Sequence, residues 1–419
     1  MKRGRLGLFG TMVVLVMILL MTVPVSAKSE GNTLGVGPGQ EYATIQAAVD
    51  AAKQGSKILV YPGTYNEAVS VTKNNLQIIA QGDGVIVEPP FGRLPAGFHV
   101  LAAHVTIRGV AIADGADCAS AIRFEGSHNS FADNYIYLNH SCLGVNAVTC
   151  RDEDGGSDFN ALENNTIHAA DIGIVMVAET EEAINRGNVI RNNTLEQIAQ
   201  TPIAVMNGKG FVVAGNHIDM APFGHCIAVG TLGENKIAQG HHRIEGNTMG
   251  TCAGNGISLY ADPGTVLTHN RISDNIIQTC GSDCIALGAA AGATLTHNVV
   301  ADNEASFSGI CGIALGADPW DATDASVSNN QIRGNLVYRN LSGICLNPKA
   351  DKNKVSKNEA QDHTADGFVI FGHGNRLAGN NAHNNLENGI EVAGDNNTMS
   401  KNCLLYTSPS PRDQREHLV

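Results

Sequence analysis

One asparagine recurs along this chain at the same place in a short motif, and this recurrence restricts the folds open to it. The second residue after it is apolar, as in LENNTI, IEGNTM and IRGNLV. Successive copies lie 22 to 37 residues apart, and the shortest interval, 22–23 residues, predicts the bare repeating unit. The asparagines of this column are Asn134, Asn165, Asn193, Asn216, Asn247, Asn275, Asn298, Asn335, Asn358 and Asn380, with Asn402 opening a further copy. A repeat of this length is typical of a solenoid, in which each unit packs only against its neighbours.

Each asparagine is followed, about eight to ten residues later, by a second apolar segment such as GIVMV, GISLY or CIALG. Both segment types alternate apolar and other residues over short runs, which is strand periodicity, and Gly, Asn and Asp between them indicate turns. Helical repeats would need longer apolar stripes, and the leucine pattern of a leucine-rich repeat is absent. The sequence therefore predicts an all-β fold: a single-stranded right-handed parallel β-helix solenoid of about eleven coils, stacked about 4.8 Å apart.

The recurring asparagine has a structural explanation in such a fold. Asparagine tolerates the left-handed backbone of a tight turn, and its amide can hydrogen-bond to the copies above and below it. We therefore interpret Asn275 as structural and not catalytic. Five residues after the asparagine column, Cys252 and Cys280 fall on consecutive coils, where either a disulfide or two buried thiols would fit.

The region before the repeats predicts a cap. Residues 44–55, TIQAAVDAAKQG, have helical spacing of their apolar residues, and Gly55 is a stop signal. A helix here would cover the unpaired strand edges at the end of the solenoid. We therefore treat 28–402 as one β-helix domain with a capping helix at 44–55.

Both ends of the chain differ from the repeat region. Residues 1–27 combine basic residues, an apolar run and a Val-Ser-Ala cleavage pattern, which predicts a secretory signal peptide; an uncleaved membrane anchor is the alternative. At the other end, CLLYTSPSPRD matches the translation of a transposon-end adapter used to prepare DNA libraries. We expect 403–419 to be such a translation and to lie outside the fold, with a genuine polar tail as the alternative.

The formal net charge is −13 at pH 7, which argues against nucleic acid and anionic membranes as partners. After signal cleavage no apolar stretch remains that could anchor the chain stably in a membrane. The ten cysteines follow no compact disulfide framework and include no CxxC pair of the kind that binds zinc. We expect a secreted protein, periplasmic or extracellular, and a monomer.

The cap and the coils together resemble the pectin lyase-like superfamily, and most closely its NosD-type group of right-handed β-helix proteins. The resemblance rests on TIQAAVDAAKQGSKILVYPGTYNEAV and on the repeats, and it covers nearly all of 33–402. It implies the β-helix fold. For activity it implies only a range that includes polysaccharide lyases, glycoside hydrolases, epimerases, esterases, adhesins and proteins without a known reaction.

Motifs of individual enzyme families are only partly present. Gly281-Ser282-Asp283-Cys284 is similar to the paired-aspartate GDDC segment of polygalacturonases, with Ser282 in place of the first aspartate. The segment 372–374, Gly-His-Gly, is similar to another of their motifs but lies about four coils away, and their Arg-Ile-Lys is absent. The motifs of pectin methylesterases and epimerases are not recognisable, so the resemblance implies no particular reaction.

Insertions indicate where function could lie. The distance from the asparagine to the following Gly-Ile-type strand is nearly constant, so most extra residues leave from one side of the solenoid. These inserted loops are 150–158, 178–188, 231–242, 261–268 and 317–328, with 299–311 as an outlier on the opposite arc. Loops on a rigid scaffold commonly carry function.

Beside these loops runs the outward face of the Gly-Ile-type strands, which is either the floor of a groove or a flat wall. Its predicted column is Arg123, Asn146, Val175, Ala204, Ala228, Ser258, Ala286, Ala314, Cys345, Val369 and Glu391. At the turn before it, His225, Asn255 and Asp283 fall on three consecutive coils. His225 and Asp283, about 10 Å apart over two coil steps, predict a catalytic base and acid that flank a sugar; turn capping is the alternative.

The strand before the asparagine column carries a second candidate site. His241, Arg243 and Glu245 alternate on one coil, and His269 and Arg271 repeat the first two columns on the next. Two adjacent arginines repel and need an anion between them. This predicts that His241, Arg243, His269 and Arg271 bind the carboxylate or sulfate of an acidic glycan. Neutralisation by Glu245 is the alternative.

A third candidate is a calcium site. The loop 151–158, RDEDGGSD, clusters oxygen ligands, which predicts calcium bound by Asp152, Asp154 and Asp158. The loop lacks the full EF-hand spacing, and a solvated acidic loop is the alternative. A weaker acidic cluster follows at 318–324.

These features predict a secreted β-helix protein that acts on or binds an acidic polysaccharide, as a lyase or a hydrolase, with an acidic glycan or cell-surface polysaccharide as its partner. Two alternatives remain: a non-catalytic surface or scaffold protein, and a NosD-like periplasmic factor for metalloenzyme assembly, for which the sequence offers no Met/His/Cys copper cluster. An open groove with converging charges would favour the first reading. Loops packed over the Ala-rich face would favour the scaffold.

Overall fold

The chain is described here by a computed structural model. It covers residues 31–90, 96–113, 120–138, 146–152, 156–179, 183–233, 237–318 and 322–405, with the backbone alone for 146–152. The predicted signal peptide 1–27, Asp154 and residues 406–419 lie outside the described residues.

Four parallel β-sheets run along the solenoid. Sheet A has 15 strands: Thr33–Val36, Lys57–Val60, Gln77–Ala80, Thr106–Arg108, Ser130–Ala132, Ala161–Glu163, Val189–Arg191, Val212–Ala214, Arg243–Glu245, Arg271–Ser273, Val299–Ala301, Gln331–Arg333, Lys354–Ser356, Arg376–Ala378 and Thr398–Ser400. Sheet B has 14: Gly63–Tyr65, Val85–Val87, Ala111–Ala113, Tyr135–Tyr137, Thr166–His168, Thr194–Glu196, His217–Ala221, Thr248–Cys252, Ile276–Cys280, Glu304–Ser306, Leu336–Tyr338, Glu359–Gln361, Asn381–His383 and Cys403–Leu405.

Sheet C has 13 strands: Val69–Val71, Phe98–Val100, Ile122–Phe124, Asn146–Asp152, Ile172–Ala178, Ile203–Met206, Ile227–Gly230, Ile257–Ala261, Ile285–Ala289, Cys311–Ala317, Ser342–Leu346, Phe368–Ile370 and Ile390–Val392. The short sheet D has 6: Asn185–Arg186, Gly208–Lys209, Gln239–Gly240, Val266–Thr268, Thr294–Thr296 and Ser326–Ser328.

Each coil passes through sheets A, B and C in turn, and six coils add a sheet D strand before the next sheet A strand. The strands pair in parallel, each with its counterpart one coil away. The predicted right-handed parallel β-helix of about eleven coils is confirmed. The predicted number of coils was counted from the asparagine column alone. The sheets also include strands that precede the first asparagine of that column, so the longest sheet has 15 strands.

Inward side chains stack in columns, because successive residues of a strand point to opposite faces. In sheet A, Ile244, Ile272, Val300 and Ile332 occupy equivalent positions on four coils and are all buried. Such columns merge into one hydrophobic cluster along the solenoid. The coils therefore share a continuous core and form one packed unit.

The asparagine column forms a ladder of buried amides between sheets A and B. The Oδ1 of Asn275 accepts hydrogen bonds from the backbone N–H and the Nδ2 of Asn247, at 3.0 and 2.9 Å. Asn275 donates in the same way to the Oδ1 of Asn303, at 3.1 and 2.9 Å, and its Nδ2 also donates to the Ile244 carbonyl at 2.9 Å. Both polar atoms of this buried side chain are thus satisfied, which confirms its structural interpretation.

One member of the predicted column is wrong. On the coil after Asn275 the ladder position is occupied by Asn303 and not by Asn298. Asn298 belongs to a second ladder, at the corner that leads into sheet A, where its N–H donates to Asn330 Oδ1 at 2.9 Å. The two ladder positions lie five residues apart, and the sequence pattern selected Asn298 because Val299-Val300 follows it, whereas Glu304-Ala305 follows Asn303. With Asn303 in place the longest interval falls from 37 to 32 residues, and the outlying insertion at 299–311 disappears.

The left-handed residue of each turn precedes the ladder asparagine. Asp274 has φ 59° before Asn275, and Asp302 has φ 58° before Asn303. The prediction that the ladder asparagine itself adopts this backbone was therefore wrong by one position. The residue that reverses the chain lies on the outside of the corner, whereas the ladder amide points inward.

Two buried histidines take the place of asparagine, His242 in the ladder before sheet A and His363 in a shorter ladder with Asn340 and Asn385 between sheets B and C. The Nδ1 of His242 accepts from the Phe211 N–H at 3.2 Å, and the Nδ1 of His363 accepts from the Asn340 N–H at 3.1 Å. Burial lowers the pKa of His242 to about 3 and that of His363 to about 4. Each imidazole is therefore neutral near pH 7, with its Nδ1 lone pair used as the acceptor.

The predicted cap is present as helix α1, Ile45–Ala51. The Thr44 side chain and the Glu67 carboxylate accept from N–H groups of its first turn, the latter at 2.7 and 2.9 Å. The helix ends before the predicted boundary at residue 55, because Ala52 takes an extended backbone and Lys73 Nζ donates to three carbonyls at the end of the helix. Among the described residues, no helix has the length and hydrophobicity of a membrane span.

Cys252 and Cys280 lie in register on consecutive coils, as predicted. The disulfide of Cys252, however, is with Cys226 on the preceding coil, at a Cα–Cα distance of 5.5 Å. Cys280 is a buried free thiol, as is Cys284. A Cys252–Cys280 disulfide is therefore wrong, because the one sulfur of Cys252 is already bonded.

The start of the C-terminal segment belongs to the solenoid. The N–H of Asn380 donates to the Oδ1 of Asn402 at 2.9 Å, and Cys403–Leu405 then pairs with Asn381–His383. The expectation that all of 403–419 lies outside the fold is therefore wrong for these three residues. Strand pairing uses backbone groups, so the ladder at Asn402 brings whatever follows into register.

Replacing Asn275 by Ala should lower the free energy of unfolding by roughly 1–3 kcal/mol, because the amide groups of Asn247 and Asn303 would lose buried partners. Urea unfolding followed by circular dichroism measures this loss. Asn388→Ala, at an exposed turn, is the matched control and should change stability little. Equal stability of the two variants would contradict a structural ladder.

Replacing His363 by Asn should remove part of the acid sensitivity of the fold. Because the folded pKa of His363 lies below its unfolded value of about 6.5, its stabilising effect is complete above that pH and is lost as the pH falls towards about 4. The difference between the folded and unfolded pKa corresponds to a loss of free energy of unfolding on the order of 3 kcal/mol at low pH. Urea midpoints between pH 4.5 and 8 should therefore fall less for His363→Asn than for the wild type. His217→Asn, at an exposed position, should keep the wild-type pH profile.

Candidate functional site

Two adjoining clefts lie on the outer face of sheet C and together form a groove along the solenoid. The first has a volume of about 370 Å³ and the second of about 280 Å³. They meet at Asn255 and Asp318, which line both. The Ala-rich face is therefore the floor of a groove and not a flat wall covered by loops.

The floor consists of small side chains in consecutive coils. Ala228, Ser258, Ala286 and Ala314 are in register across four strands of sheet C, and all line the clefts. The predicted outward column is confirmed here. It is wrong near its start, where Thr149 and not Asn146 pairs with Arg123, because the strand Asn146–Asp152 begins two residues before its pairing with Ile122–Phe124 starts.

One wall of the groove is the row of turn residues before sheet C. His225 Nδ1 accepts from the Asn255 N–H at 2.8 Å, Asn255 Oδ1 accepts from the Asp283 N–H at 3.1 Å, and Asp283 Oδ1 accepts from the Cys311 N–H at 2.8 Å. These side chains cap successive turns, as the alternative interpretation required. Capping uses one polar atom of each side chain and leaves the second for other contacts.

Asp283 is the residue of this wall best suited to acid–base chemistry. Burial raises the pKa of its carboxyl to about 6, against a smaller opposing effect of the hydrogen bond from Cys311. Its Oδ1 holds that hydrogen bond, and the residue lines the second cleft. A carboxyl that keeps its proton until about pH 6 can donate it to a bound molecule.

His225 does not stand opposite Asp283. The two residues lie on the same wall, with His225 in the first cleft and Asp283 in the second. Because His225 Nδ1 accepts a backbone hydrogen bond, the neutral ring carries its proton on Nε2, and burial lowers its pKa. The geometry therefore makes His225 a hydrogen-bond donor and does not place it as a base across a sugar from Asp283.

The other wall follows sheet C and was missed by the sequence analysis as a site. Tyr260 and Asp262 line the first cleft, and Asp318 lines both. The Tyr260 ring lies over Gly288, where an added Cβ would come within 3.0 Å of Cδ2. Burial and the nearby Asp318 and Asp262 raise the pKa of Tyr260. The signal for this wall was the pair of inserted loops at 261–268 and 317–328.

A disulfide limits the groove at its C-terminal side. Cys311 and Cys345 are bonded, with a Cα–Cα distance of 6.2 Å. They form a small buried cluster with Ala314 and Val369. The covalent link joins two coils next to Asp283 and so stabilises the spacing of the wall that carries it.

The predicted anion site lies on sheet A and not in the groove. Arg243 and Arg271 are paired in register on consecutive coils. Glu245 binds Arg243 alone, with Nε–Oε2 at 3.2 Å. His241 and His269 occupy left-handed turns before these strands, both at φ 57°, and do not alternate with the arginines along the strand as expected.

The predicted calcium loop is only partly described. Asp158 Oδ1 accepts from the Arg186 N–H at 2.6 Å, and its Oδ2 lies 3.7 Å from Arg186 Nη1. Asp152 ends a sheet C strand, and Asp154 lies outside the described residues. Within the described part of the chain, no group of three His, Cys, Asp or Glu side chains is arranged to hold a metal ion. The calcium site stays a prediction.

The polygalacturonase-like segments are not brought together. Asp283 precedes a sheet C strand, whereas His373 follows one, three coils further on and not four as expected. His373 Nδ1 accepts from the Asp395 N–H at 2.9 Å, and its own N–H donates to Asp351 Oδ1 at 2.7 Å. His373 is thus a turn cap at another corner of the solenoid.

Family comparison agrees with the architecture. The family model described as a right handed beta helix region matches residues 64–218, 183–319 and 316–409. The chain belongs to this family. A search of curated proteins gives no match.

Solved structures resemble the chain at low sequence identity. Tailspike protein 3 of bacteriophage CBA120 has a TM-score of 0.56 at 10% identity, over 87% of this chain and 58% of that one. The catalytic domain of a GH87 alpha-1,3-glucanase, solved with tetrasaccharides, has a TM-score of 0.51 at 12% identity, over 88% and 68%. The A-module of the Azotobacter vinelandii mannuronan C-5 epimerase AlgE6 has a TM-score of 0.44 at 14% identity, over 87% and 95%. At these identities the likeness shows the fold alone.

Proposed function

We propose that this β-helix protein binds a polysaccharide along the sheet C groove and hydrolyses it there. The observation that carries the proposal is Asp283, a carboxyl with a pKa of about 6 that lines the second cleft. The resemblance in fold to a glucanase solved with tetrasaccharides adds support.

The shape of the groove suits a chain of sugars. It runs across several coils, its floor is small and its walls carry polar groups, so an extended polymer can lie over Ala286 without meeting bulky side chains. The Tyr260 ring offers an apolar surface of the kind that packs against sugar rings. Amide and carboxylate oxygens on both walls can accept hydrogen bonds from sugar hydroxyls.

Hydrolysis assigns the general acid to the wall before sheet C. Protonated Asp283 donates its proton to the glycosidic oxygen, so the C–O bond breaks with the electron pair on the leaving sugar. Asp318 is not its partner, because the pairing of Ala289 with Ala317 puts it about seven residues, roughly 20 Å, along the strands from Asp283, beyond the separation of an inverting carboxylate pair. A water molecule attacks the anomeric carbon and releases its proton to the solvent. The water supplies the hydroxyl of one product, and His225 Nε2–H is positioned to bind sugar hydroxyls in the neighbouring cleft.

The charge of the groove favours an uncharged glycan at the reacting position. Asp262, Asp283 and Asp318 line it, and its described lining residues include no Lys or Arg. Lyase chemistry on a uronate needs a cation near the substrate carboxylate, so the groove suits hydrolysis better. The acidic-glycan expectation rests on Arg243 and Arg271, which lie on another sheet.

Secretion of a monomer fits this activity, because polysaccharides of this kind are extracellular. The predicted signal peptide at 1–27 supports secretion. A non-catalytic scaffold protein is the second candidate, and it is favoured by the turn-capping contacts of His225 and Asp283. The two candidates differ in whether the groove binds and cleaves a glycan.

Replacing Asp283 by Asn should remove hydrolysis while keeping the fold. Asn255 already caps the equivalent turn one coil earlier, so the amide should retain the hydrogen bond to Cys311. We expect a rate at least about 100-fold lower than that of the wild type, as for loss of a general acid. The wild-type rate should fall as the pH rises above about 6, because the carboxyl then loses its proton. Release of reducing ends from a panel of neutral and acidic polysaccharides measures both effects.

A second variant tests the groove itself. Ala286→Trp should fill the floor between the two clefts and abolish glycan binding measured by calorimetry. Thr279→Trp, at an exposed position on sheet B, is the control and should bind as the wild type does. Unchanged binding by Ala286→Trp, or no hydrolysis and no binding across the panel, would favour the scaffold protein.

A further inference from the structure

A strip of basic side chains follows the corner between sheets D and A, away from the groove. We call Lys209, His241, Arg243, His269, Arg271 and His297 the basic strip. Its members lie on four consecutive coils: Lys209 pairs with Gly240 next to His241, and Arg243 pairs with Arg271. Such a concentration of positive groups stands out in a chain with a net charge of −13.

The three histidines of the basic strip are stacked. The ring centroids of His241 and His269 are 5.1 Å apart at an interplanar angle of 4°, and those of His269 and His297 are 5.2 Å apart at 7°. All three rings are exposed. They occupy the left-handed turn before the second ladder, with φ between 57° and 58°, so the ladder sets their spacing.

Hydrogen bonds fix the tautomer of two of these rings. The Thr268 hydroxyl donates its one proton to the Thr296 carbonyl at 2.8 Å, so it accepts at 2.9 Å from His269 Nδ1–H. Thr296 likewise donates to the Ser328 carbonyl at 2.7 Å and accepts from His297 Nδ1–H at 3.1 Å. In both neutral rings Nε2 therefore carries the lone pair. Protonation converts it into a charged N–H donor.

The arginines supply charge at every pH. Arg243 forms an ion pair with Glu245 and keeps 58% of its side chain exposed. Arg271 is half-buried, and no ion pair or hydrogen bond of its guanidinium is found among the described residues. Within the described part of the chain, one guanidinium of the strip therefore has no carboxylate partner, although the chain as a whole is acidic. The sequence left open that Glu245 neutralises both arginines. In the structure Glu245 pairs with Arg243 alone.

We infer that the basic strip binds an acidic polysaccharide, through its carboxylate or sulfate groups, at a surface separate from the groove. Guanidinium groups bind planar oxyanions through paired hydrogen bonds, and the coil spacing repeats the cationic groups about every 5 Å. A polymer with an anionic group on successive sugars can therefore contact several coils at once. The strip anchors such a polymer and takes no part in bond cleavage.

The inference predicts stronger binding in mild acid. The pKa of His241 is lowered by burial and then by the charges of Lys209 and His269, so this ring gains its proton only below the usual range. The charged groups beside the stack are Lys209, Arg243 and Arg271, together with the carboxylate of Glu245. A bound polyanion offsets the repulsion among the cations and favours protonation of the rings.

Binding of polygalacturonate and of dextran sulfate tests the inference, with uncharged dextran as the reference. We expect polyanion binding by calorimetry at pH 5.5 in low salt, weaker binding at pH 8 and loss of binding at high salt. Arg271→Ala should weaken binding about tenfold or more, corresponding to roughly 1.4 kcal/mol, and replacing His241, His269 and His297 together by Gln should remove the pH dependence. The two polymers distinguish carboxylate from sulfate recognition.

Control variants separate the strip from general electrostatics and from the groove. Arg191→Ala removes another sheet A arginine, which is paired with Glu163 at 3.6 Å, and should change binding little. Ala286→Trp should leave polyanion binding intact even where it abolishes binding in the groove. Thermal melting checks that each variant folds.

Four outcomes would overturn the inference. They are wild-type binding by Arg271→Ala, an equal loss with Arg191→Ala, loss of polyanion binding with Ala286→Trp, and equally tight binding of a DNA duplex. The first shows that the strip is not the site, and the second shows that only overall charge matters. The third assigns the polymer to the groove, and the last denies selectivity for a polysaccharide. None of these outcomes bears on hydrolysis in the groove.

Discussion

The buried amide ladders are the interaction on which the rest of this structure depends. An asparagine such as Asn275 accepts from the coil before it and donates to the coil after it, so its hydrogen bonds are complete only when both coils are in register. An unpaired buried amide costs on the order of 1–3 kcal/mol, and a slip of one coil by one residue would leave several amides unpaired. The ladders therefore fix the turns at two corners of every coil. Residues at equivalent positions of those corners must then stack.

This restriction explains where the solenoid carries its variable parts. Extra residues enter between sheet C and the ladder that precedes sheet A, as the loops containing Asp262 and Asp318 do. The wall before sheet C is regular, and its caps at His225, Asn255 and Asp283 repeat from coil to coil. A groove between a regular wall and a variable wall follows from this arrangement. It combines a carboxyl held in a fixed geometry with loops that are free to change in sequence.

The fold was predictable because its signals are periodic, whereas the site depends on details within single coils. The asparagine spacing and the Gly-Ile segments were enough for the sheets, the core and the position of the groove floor. Asn298 was misplaced because an apolar pair follows it and Glu304-Ala305 follows Asn303, and only the hydrogen bonds from Asn275 identify Asn303 as the next ladder residue. Tyr260 was missed as a wall residue because its ring lies over Gly288, a contact between coils that no local pattern records. The pKa of Asp283 likewise depends on burial by neighbouring coils.

Rigid stacking also decides how the two surfaces can work together. The groove and the basic strip lie on the same coils. The sheet C strand Ile257–Ala261 carries part of the groove, and the chain then continues into the sheet A strand Arg271–Ser273, which carries part of the strip. Because the ladders hold these coils in register, the two surfaces cannot move relative to each other as separate domains do. A polymer anchored by Arg271 would stay close to the groove, and this raises the effective concentration of its neighbouring segments there. An acidic groove beside a basic strip would then favour glycans whose charged stretches alternate with uncharged ones, since the strip binds anionic groups and the groove repels them.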